Sequence, residues 1–168
     1  NLTVRMFEEH PDVLERYRDR FRYVMVDEYQ DTNLAQYKLV KLLAGQHRNL
    51  AVVGDDDQAI YGWRGSSVEY ILNFHQYFDD PEVVTLTQNY RAAPELVAAS
   101  NSLANHFVER RDKELEAASN ANGEIHIYRN KSETHEGVKI ADILKQQNKS
   151  GVPYAEMAVL VRTNALPS

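Results

Sequence analysis

A short apolar run, Tyr23-Val24-Met25-Val26, delivers two adjacent carboxylates, Asp27 and Glu28, to its C-terminal end. A run of this length and composition reads as a buried strand. Asp31, Thr32 and Asn33 come next, and all three are good helix N-caps. Leu34, Tyr37, Val40 and Leu43 then mark one face of a helix that stops near Gly45. Leu50-Ala51-Val52-Val53 is a second apolar strand, closed by Gly54 and three acids, Asp55, Asp56 and Asp57. In an open α/β sheet, the C-terminal strand edge is where ligands bind. Adjacent carboxylates repel each other, and a divalent cation removes that conflict. One can hold Mg²⁺ while the next orients or deprotonates a water. Taken alone, an acid pair after a strand is also an ordinary solvated strand end or a helix-capping pair.

The rest of the chain continues the alternation. Residues 11–21 read as a helix, with Pro11 in its first turn and Val13, Leu14, Tyr17 and Phe21 at helical spacing. Residues 67–77 read as another helix and Val83-Val84-Thr85-Leu86 as a third strand. Pro94 opens a helix whose stripe is Leu96, Ala99, Leu103 and Phe107. Arg110 to Gly123 reads as a helix end plus a loop. Glu124 to Tyr128 alternates as a strand, 133–148 is helical, and Met157 to Val161 is a last strand. Strands alternating with helices predict a parallel-sheet α/β architecture.

A chain of 168 residues can bury a real core. Its net charge of −6 is the wrong sign for a protein that coats nucleic acid through bulk charge. A groove with local cations and aromatic platforms is not excluded by that total. The densest basic run, Arg16, Arg18, Arg20 and Arg22, reads as one face of a solvated helix. With no Cys, disulfides and Cys-based metal sites are out, which suits a reducing cytoplasm. The six histidines show no metal-ligand spacing. No apolar run approaches the roughly 18–20 residues of a membrane span.

Three longer strings sharpen the functional reading. Val26-Asp27-Glu28-Tyr29-Gln30-Asp31-Thr32-Asn33 closely resembles the Walker-B element, motif II, of superfamily 1 helicases of the UvrD/Rep/PcrA type. Ala51 to Ser66, with Gly54-Asp55-Asp56-Asp57-Gln58 and Ile60-Tyr61-Gly62-Trp63-Arg64-Gly65 inside it, resembles motif III. Leu86-Thr87-Gln88-Asn89-Tyr90-Arg91-Ala92 resembles motif IV, and the order is the family's. The resemblance implies a RecA-like, parallel-sheet P-loop NTPase fold, present in part. Residues 1–82 would be the later part of the first lobe and 83–168 the early part of the second. The chain contains no G-x-x-x-x-G-K-[ST] phosphate loop, and its first Gly is Gly45. Motifs V and VI are also absent, so the likeness implies a middle segment of a helicase.

The resemblance carries roles to individual positions. Asp27 is implied as the Mg²⁺ ligand of bound ATP, and Glu28 as the group that orients or deprotonates the attacking water. Gln58 is implied as the sensor of the terminal phosphate, linking it to DNA. Tyr90 would stack on adenine, and Arg91 would reach the γ-phosphate as an arginine finger, a role suited to a planar, permanently charged fork. Tyr61, Trp63 and Arg64 are the candidate contacts to single-stranded and duplex DNA. Tyr61 and Trp63 would share a side if their stretch is extended. Arg64 could pair with a phosphate, stack on a base or bridge back to a motif II acid. The alternative for Trp63, the only tryptophan, is a core anchor.

Val159 to Ala165 resembles a second-lobe strand and turn, and the likeness stops at Leu166-Pro167-Ser168. The leading expectation is an ATP-dependent 3′-to-5′ DNA helicase segment that works in the cytoplasm with the remaining parts of its helicase chain. A folded module that binds nucleic acid or a partner without hydrolysing ATP is the second reading. A RecB/AddA-type helicase–nuclease shares these motifs and is the third.

Overall fold

The computed structural model describes residues 1–161, and the likeness seen at Arg162 to Ser168 lies outside them. The chain divides into two compact units, Asn1–Glu124 and a smaller one from Ile125 onward. Among the described residues no helix is long and apolar enough to cross a membrane.

The larger unit opens with α1 (Leu2–Glu9) and α2 (Pro11–Arg20). Sequence reading left the first ten residues unassigned, yet Asn1 caps α1 by accepting from the Thr3 amide. Val4 and Phe7 of α1 and Leu14 of α2 are buried. α1 and α2 pack on each other and on α3 (Leu34–Ala44). Asn33 caps α3 in a reciprocal box with Gln36. Of the basic run, Arg18 is half-buried. Its guanidinium donates to the Leu42 carbonyl and to Gln46, each at 2.8 Å, tying α2 to the end of α3.

α3 is the crossover between two parallel strands, β1 (Val24–Val26) and β2 (Leu50–Val52), paired Val24 to Leu50 and Val26 to Val52. Both are shorter than the sequence suggested. The expected helix over 67–77 is two short pieces, α4 (Glu69–Leu72) and α5 (Phe74–Tyr77), broken at Asn73. Aromatic side chains from both pieces pack on neighbouring elements. Tyr37 stacks on Tyr70 at 4.5 Å, and Phe74 meets the edge of Tyr29 at 5.8 Å.

Tyr29 is 0 % exposed, and its hydroxyl has no hydrogen-bond partner among the described residues. Burial, with Tyr37, Tyr70 and Tyr77 close by, pushes its phenol up to about 12 from an ordinary 10.0. A raised folded-state value stabilises the protein below pH 10, and that contribution is lost as pH rises through about 12. Tyr29→Phe removes both an orphaned hydroxyl and this titration. It should gain about 1 kcal/mol at neutral pH and flatten the alkaline loss of stability. Urea denaturation at pH 7 and across pH 10–12 reads both effects.

A second pair of parallel strands, β3 (Gln88–Asn89) and β4 (Glu116–Ala117), flanks α6 (Pro94–Ala104). The strand expected at Val83–Leu86 does not form. Val84 and Leu86 stand exposed, and the chain first enters a ladder at Gln88. Apolar alternation makes a strand only where a neighbouring backbone completes the ladder. A cavity of about 640 Å³ lies between α6 and β4, away from the β1–β2 edge.

The unit from Ile125 onward is built on α7 (Glu133–Lys149), capped by Ser132. The strands expected at Glu124–Tyr128 and Met157–Val161 do not form. Ile127 and Leu160 are exposed there, so no apolar face is buried to hold a pleat in register.

Candidate functional site

The parallel pairing brings the two motif ends to one edge. Val53 donates its amide to the Val26 carbonyl at 2.8 Å, and Tyr29 donates to the Val53 carbonyl at 2.9 Å. Asp27 and Glu28 therefore sit beside Gly54 and the acids after it. Glu28 has φ 50°, a left-handed conformation rare for a side chain with a Cβ. That turn swings the chain from strand into a single 3₁₀ turn at Tyr29–Asp31. Glu28 donates its amide to Asp27 Oδ1 at 2.9 Å, while Oδ2 accepts no hydrogen bond among the described residues.

Gln30 connects the two motifs. It is 2 % exposed, its Nε2 donates to Glu28 Oε2 at 2.7 Å, and its Oε1 accepts from the Asp55 amide at 3.0 Å. Gly54 permits the approach, because a Cβ there would lie 2.6 Å from Gln30 Oε1 and 3.0 Å from the Tyr29 amide nitrogen. Asp55 Oδ2 accepts in turn from Gln58 Nε2 at 2.7 Å. Glu28, Gln30, Asp55 and Gln58 form one continuous hydrogen-bonded line. Sequence reading placed Glu28 and Gln58 as separate candidates and gave Gln30 no role. Its place two residues after Glu28, inside the motif II string, is the signal the sequence carries.

The three acids meet an unforeseen partner. The segment Arg110-Arg111-Asp112-Lys113, in the stretch expected as a helix end plus a loop, packs onto them. Lys113 Nζ lies 3.1 Å from Asp55, 2.6 Å from Asp56 and 3.1 Å from Asp57, with its side chain 10 % exposed. Arg110 grips Asp57 with two nitrogens at 2.8 and 3.1 Å. The Arg111 amide donates to Asp56 at 2.6 Å. Burial works to raise the Asp57 carboxyl, but hydrogen bonds from Arg110 and Lys113 outweigh it and hold it low. Burial likewise works to lower Lys113, and the three carboxylates outweigh it and raise the ammonium above its ordinary value.

Tyr61, Trp63 and Arg64 cluster on one loop. The stretch is a 3₁₀ turn at Gly62–Arg64, not the extended strand in which the two rings would share a side. The turn still sets the rings 6.4 Å apart. The Arg64 guanidinium lies over both, 4.9 Å from Tyr61 and 4.5 Å from Trp63. It makes no ion pair with a motif II acid among the described residues. Trp63 is 75 % exposed, so it does not anchor the core. Gly65 closes the turn at φ 83°, where a side chain would be strained. The chain then returns to motif II, the Ser67 amide donating to the Thr32 carbonyl at 3.1 Å.

Tyr90 and Arg91 follow β3 on a turn held by Asn89, whose Oδ1 accepts from the amides of Arg91 and Ala92 at 3.0 and 2.9 Å. The Tyr90 ring is exposed and its hydroxyl donates to Gln88 at 2.6 Å. Among the described residues, neither Tyr90 nor Arg91 bonds to Asp27, Glu28 or Gln58.

Residues 1–79 match the model of the UvrD/REP helicase N-terminal domain, and 84–167 match that of the UvrD-like helicase C-terminal domain. The chain belongs to the UvrD/Rep helicase family. Among curated UvrD/Rep-family relatives, an ATP-dependent DNA helicase PcrA of Staphylococcus epidermidis is 44 % identical over 163 residues, and one of Staphylococcus aureus is 47 % identical over 165. Each alignment covers 97 % of this chain and 22 % of the relative, so the chain spans about a fifth of their length.

Among the described residues no group of three or more His, Cys, Asp or Glu side chains could hold a metal ion. Mg²⁺ is commonly held by one or two carboxylates together with substrate phosphates. Asp27, exposed at a strand end with one oxygen free of hydrogen bonds, fits that mode as a single protein ligand.

Proposed function

We propose that this chain is the central part of an ATP-dependent helicase that moves 3′ to 5′ on single-stranded DNA and unwinds duplex. Residues 1–82 would complete a first RecA-like lobe and residues 83–168 would begin a second. The observation that supports this best is the line from Glu28 through Gln30 and Asp55 to Gln58, which joins the two strand ends where a nucleotide would sit. Bound ATP with Mg²⁺ would supply the phosphoryl group whose transfer to water powers the cycle. Asp27 would ligate the cation through its free oxygen. Glu28 would orient the water and take its proton. Gln58, exposed and with its side chain tethered to Asp55, would exchange that tether for a phosphate oxygen. Tyr90 would offer its exposed ring to adenine. Arg91, exposed beside it, would approach the γ-phosphate when the lobes close.

On the DNA side, Tyr61 and Trp63 would stack on bases, with Arg64 stiffening the pair and adding positive charge. Stacking suits movement over arbitrary sequence, because every base has a π face. The protein would act in the cytoplasm, together with the rest of its helicase chain. These 168 residues contain no phosphate loop. Alone they would therefore bind DNA without hydrolysing ATP, since the cradle of backbone amides and its Lys is missing.

Two measurements test this reading. Trp63→Ala should weaken oligo-dT binding by this chain by roughly 5–150-fold, the equivalent of about 1–3 kcal/mol per stacked base. Circular dichroism should be unchanged, because the ring is exposed. Equal affinity for the variant and the parent would remove Trp63 from the DNA site. The isolated chain should show only trace ATPase with or without DNA, and a robust DNA-stimulated rate would overturn that part of the reading.

A further inference from the structure

We propose that Gln30 is a positioning residue that fixes the Glu28 carboxylate and the motif III loop in one register, so that a change at either is felt at the other. This rests on the reading of Glu28 and Gln58 given above. The argument begins with burial. Gln30 is 2 % exposed, so its amide has no water to satisfy it and must find protein partners. It finds two of opposite kind. Its nitrogen donates to Glu28 Oε2 at 2.7 Å and its oxygen accepts from the Asp55 amide at 3.0 Å.

A neutral amide presents a donor and an acceptor on one planar group, so the two bonds orient each other. Rotating the amide to follow Glu28 withdraws the oxygen from Asp55. Moving the Asp55 backbone pulls the nitrogen from Glu28. Gly54 leaves no slack, with the Gln30 oxygen 2.6 Å from where a Cβ would stand. Beyond Asp55, the line continues through its Oδ2 to Gln58 Nε2 at 2.7 Å. A carboxylate at position 30 would face Glu28 with like charge, and an aliphatic side chain would strand both partners. Glu28, held left-handed at φ 50°, depends on this contact to aim its side chain.

The test uses this chain and needs no nucleotide. Side-chain and backbone amide signals are followed by ¹⁵N NMR in the parent, Glu28→Gln, Gln30→Met and the double variant. Met is close to Gln in length and volume and carries no charge, so the fold is kept. Gln30→Glu serves as a second probe if Gln30→Met loses spectral dispersion. In the parent background, Glu28→Gln should shift both the Asp55 amide and the Gln58 side-chain signals by more than a linewidth. In the Gln30→Met background the same substitution should leave both unmoved. Shifts of equal size in both backgrounds would overturn the proposal, because a purely space-filling Gln30 would not gate them. In a longer helicase carrying this segment, Gln30→Met should lower kcat by about 10–100-fold, the range seen when supporting partners are removed, with KM for ATP held. Asp55 and Gln58 signals that stay unmoved by Glu28→Gln in the parent background, or that move equally in both backgrounds, defeat this inference alone. An intact coupling in a helicase that turns over normally with Glu28→Gln would defeat the reading of Glu28 instead.

Discussion

Replacing Lys113 with Met should destabilise this chain by about 3–5 kcal/mol, the cost typical of removing one partner from a buried charge pair. That is roughly 6–20 °C in Tm for a domain of this size. Lys113 reaches three carboxylates within 3.1 Å and is 10 % exposed. Without it, Asp55, Asp56 and Asp57 crowd together with only Asp57 still paired to a cation, Arg110, and they repel one another in a partly desolvated setting. Arg5 and Glu9 provide the contrast. They pair at 2.7 Å on the α1 surface with both side chains well exposed, where such pairs contribute about 0–1 kcal/mol. Arg5→Ala should therefore change the urea midpoint little. Adding Asp56→Asn to Lys113→Met should recover part of the loss, because it removes one of the stranded charges. The pH dependence follows from the two shifts. Asp57, held low, stabilises above the ordinary carboxylate range and loses that contribution as pH falls through its folded value. Lys113, held high, stabilises below the ordinary lysine range and loses it as pH rises through its own. A Lys113→Met effect no larger than that of Arg5→Ala would show that the cluster is not a clamp.

The clamp also shows where sequence reading stops. Local patterns carried the β1–α3–β2 core well, because each step has a short-range cause. Val24 to Val26 is apolar, Asn33 caps, Tyr37 and Val40 face inward, and Gly54 ends the second strand beside Gln30. At the strand ends, Asp27, Glu28 and Gln58 stand out as site candidates through the longer strings around them, while Asp55, Asp56 and Asp57 carry no such mark. Contacts between distant positions left no such trace. Arg110 and Lys113 lie more than fifty residues from Asp57, and a basic segment in a polar stretch looks like any solvated loop. Gln30 was in view but silent, since its role depends on the register between β1 and β2. The missing strands at 83–86, 124–128 and 157–161 are the reverse case. Their apolar runs and, at 124–128, alternation are local, but a ladder needs a second backbone, which no pattern within the segment can supply. Trp63 lay between these extremes. The sequence leaves both a DNA contact and a core anchor open for it, and the structure leaves it exposed beside Tyr61 and Arg64.

Glu28→Gln should lower the DNA-stimulated ATPase of a helicase carrying this segment by about 10²–10⁴-fold, the usual contribution of a positioned acid–base group. The substitution separates chemistry from architecture. A glutamine at position 28 still presents an oxygen to the Gln30 amide, so the 2.7 Å contact can persist. It keeps the length of the side chain and does not alter the left-handed backbone at φ 50° beyond what glutamate already tolerates. What it removes is the negative charge and the capacity to take a proton from water. ATP binding should therefore hold, because Asp27 is untouched, as is the hydrogen bond that the Glu28 backbone N–H donates to Asp27 Oδ1. Equilibrium binding of a fluorescent nucleotide alongside steady-state turnover distinguishes the two terms. Asp27→Asn should show the opposite division, with nucleotide affinity in Mg²⁺ falling along with the rate. Near-normal turnover with Glu28→Gln would move the base elsewhere and leave Glu28 as a structural partner of Gln30.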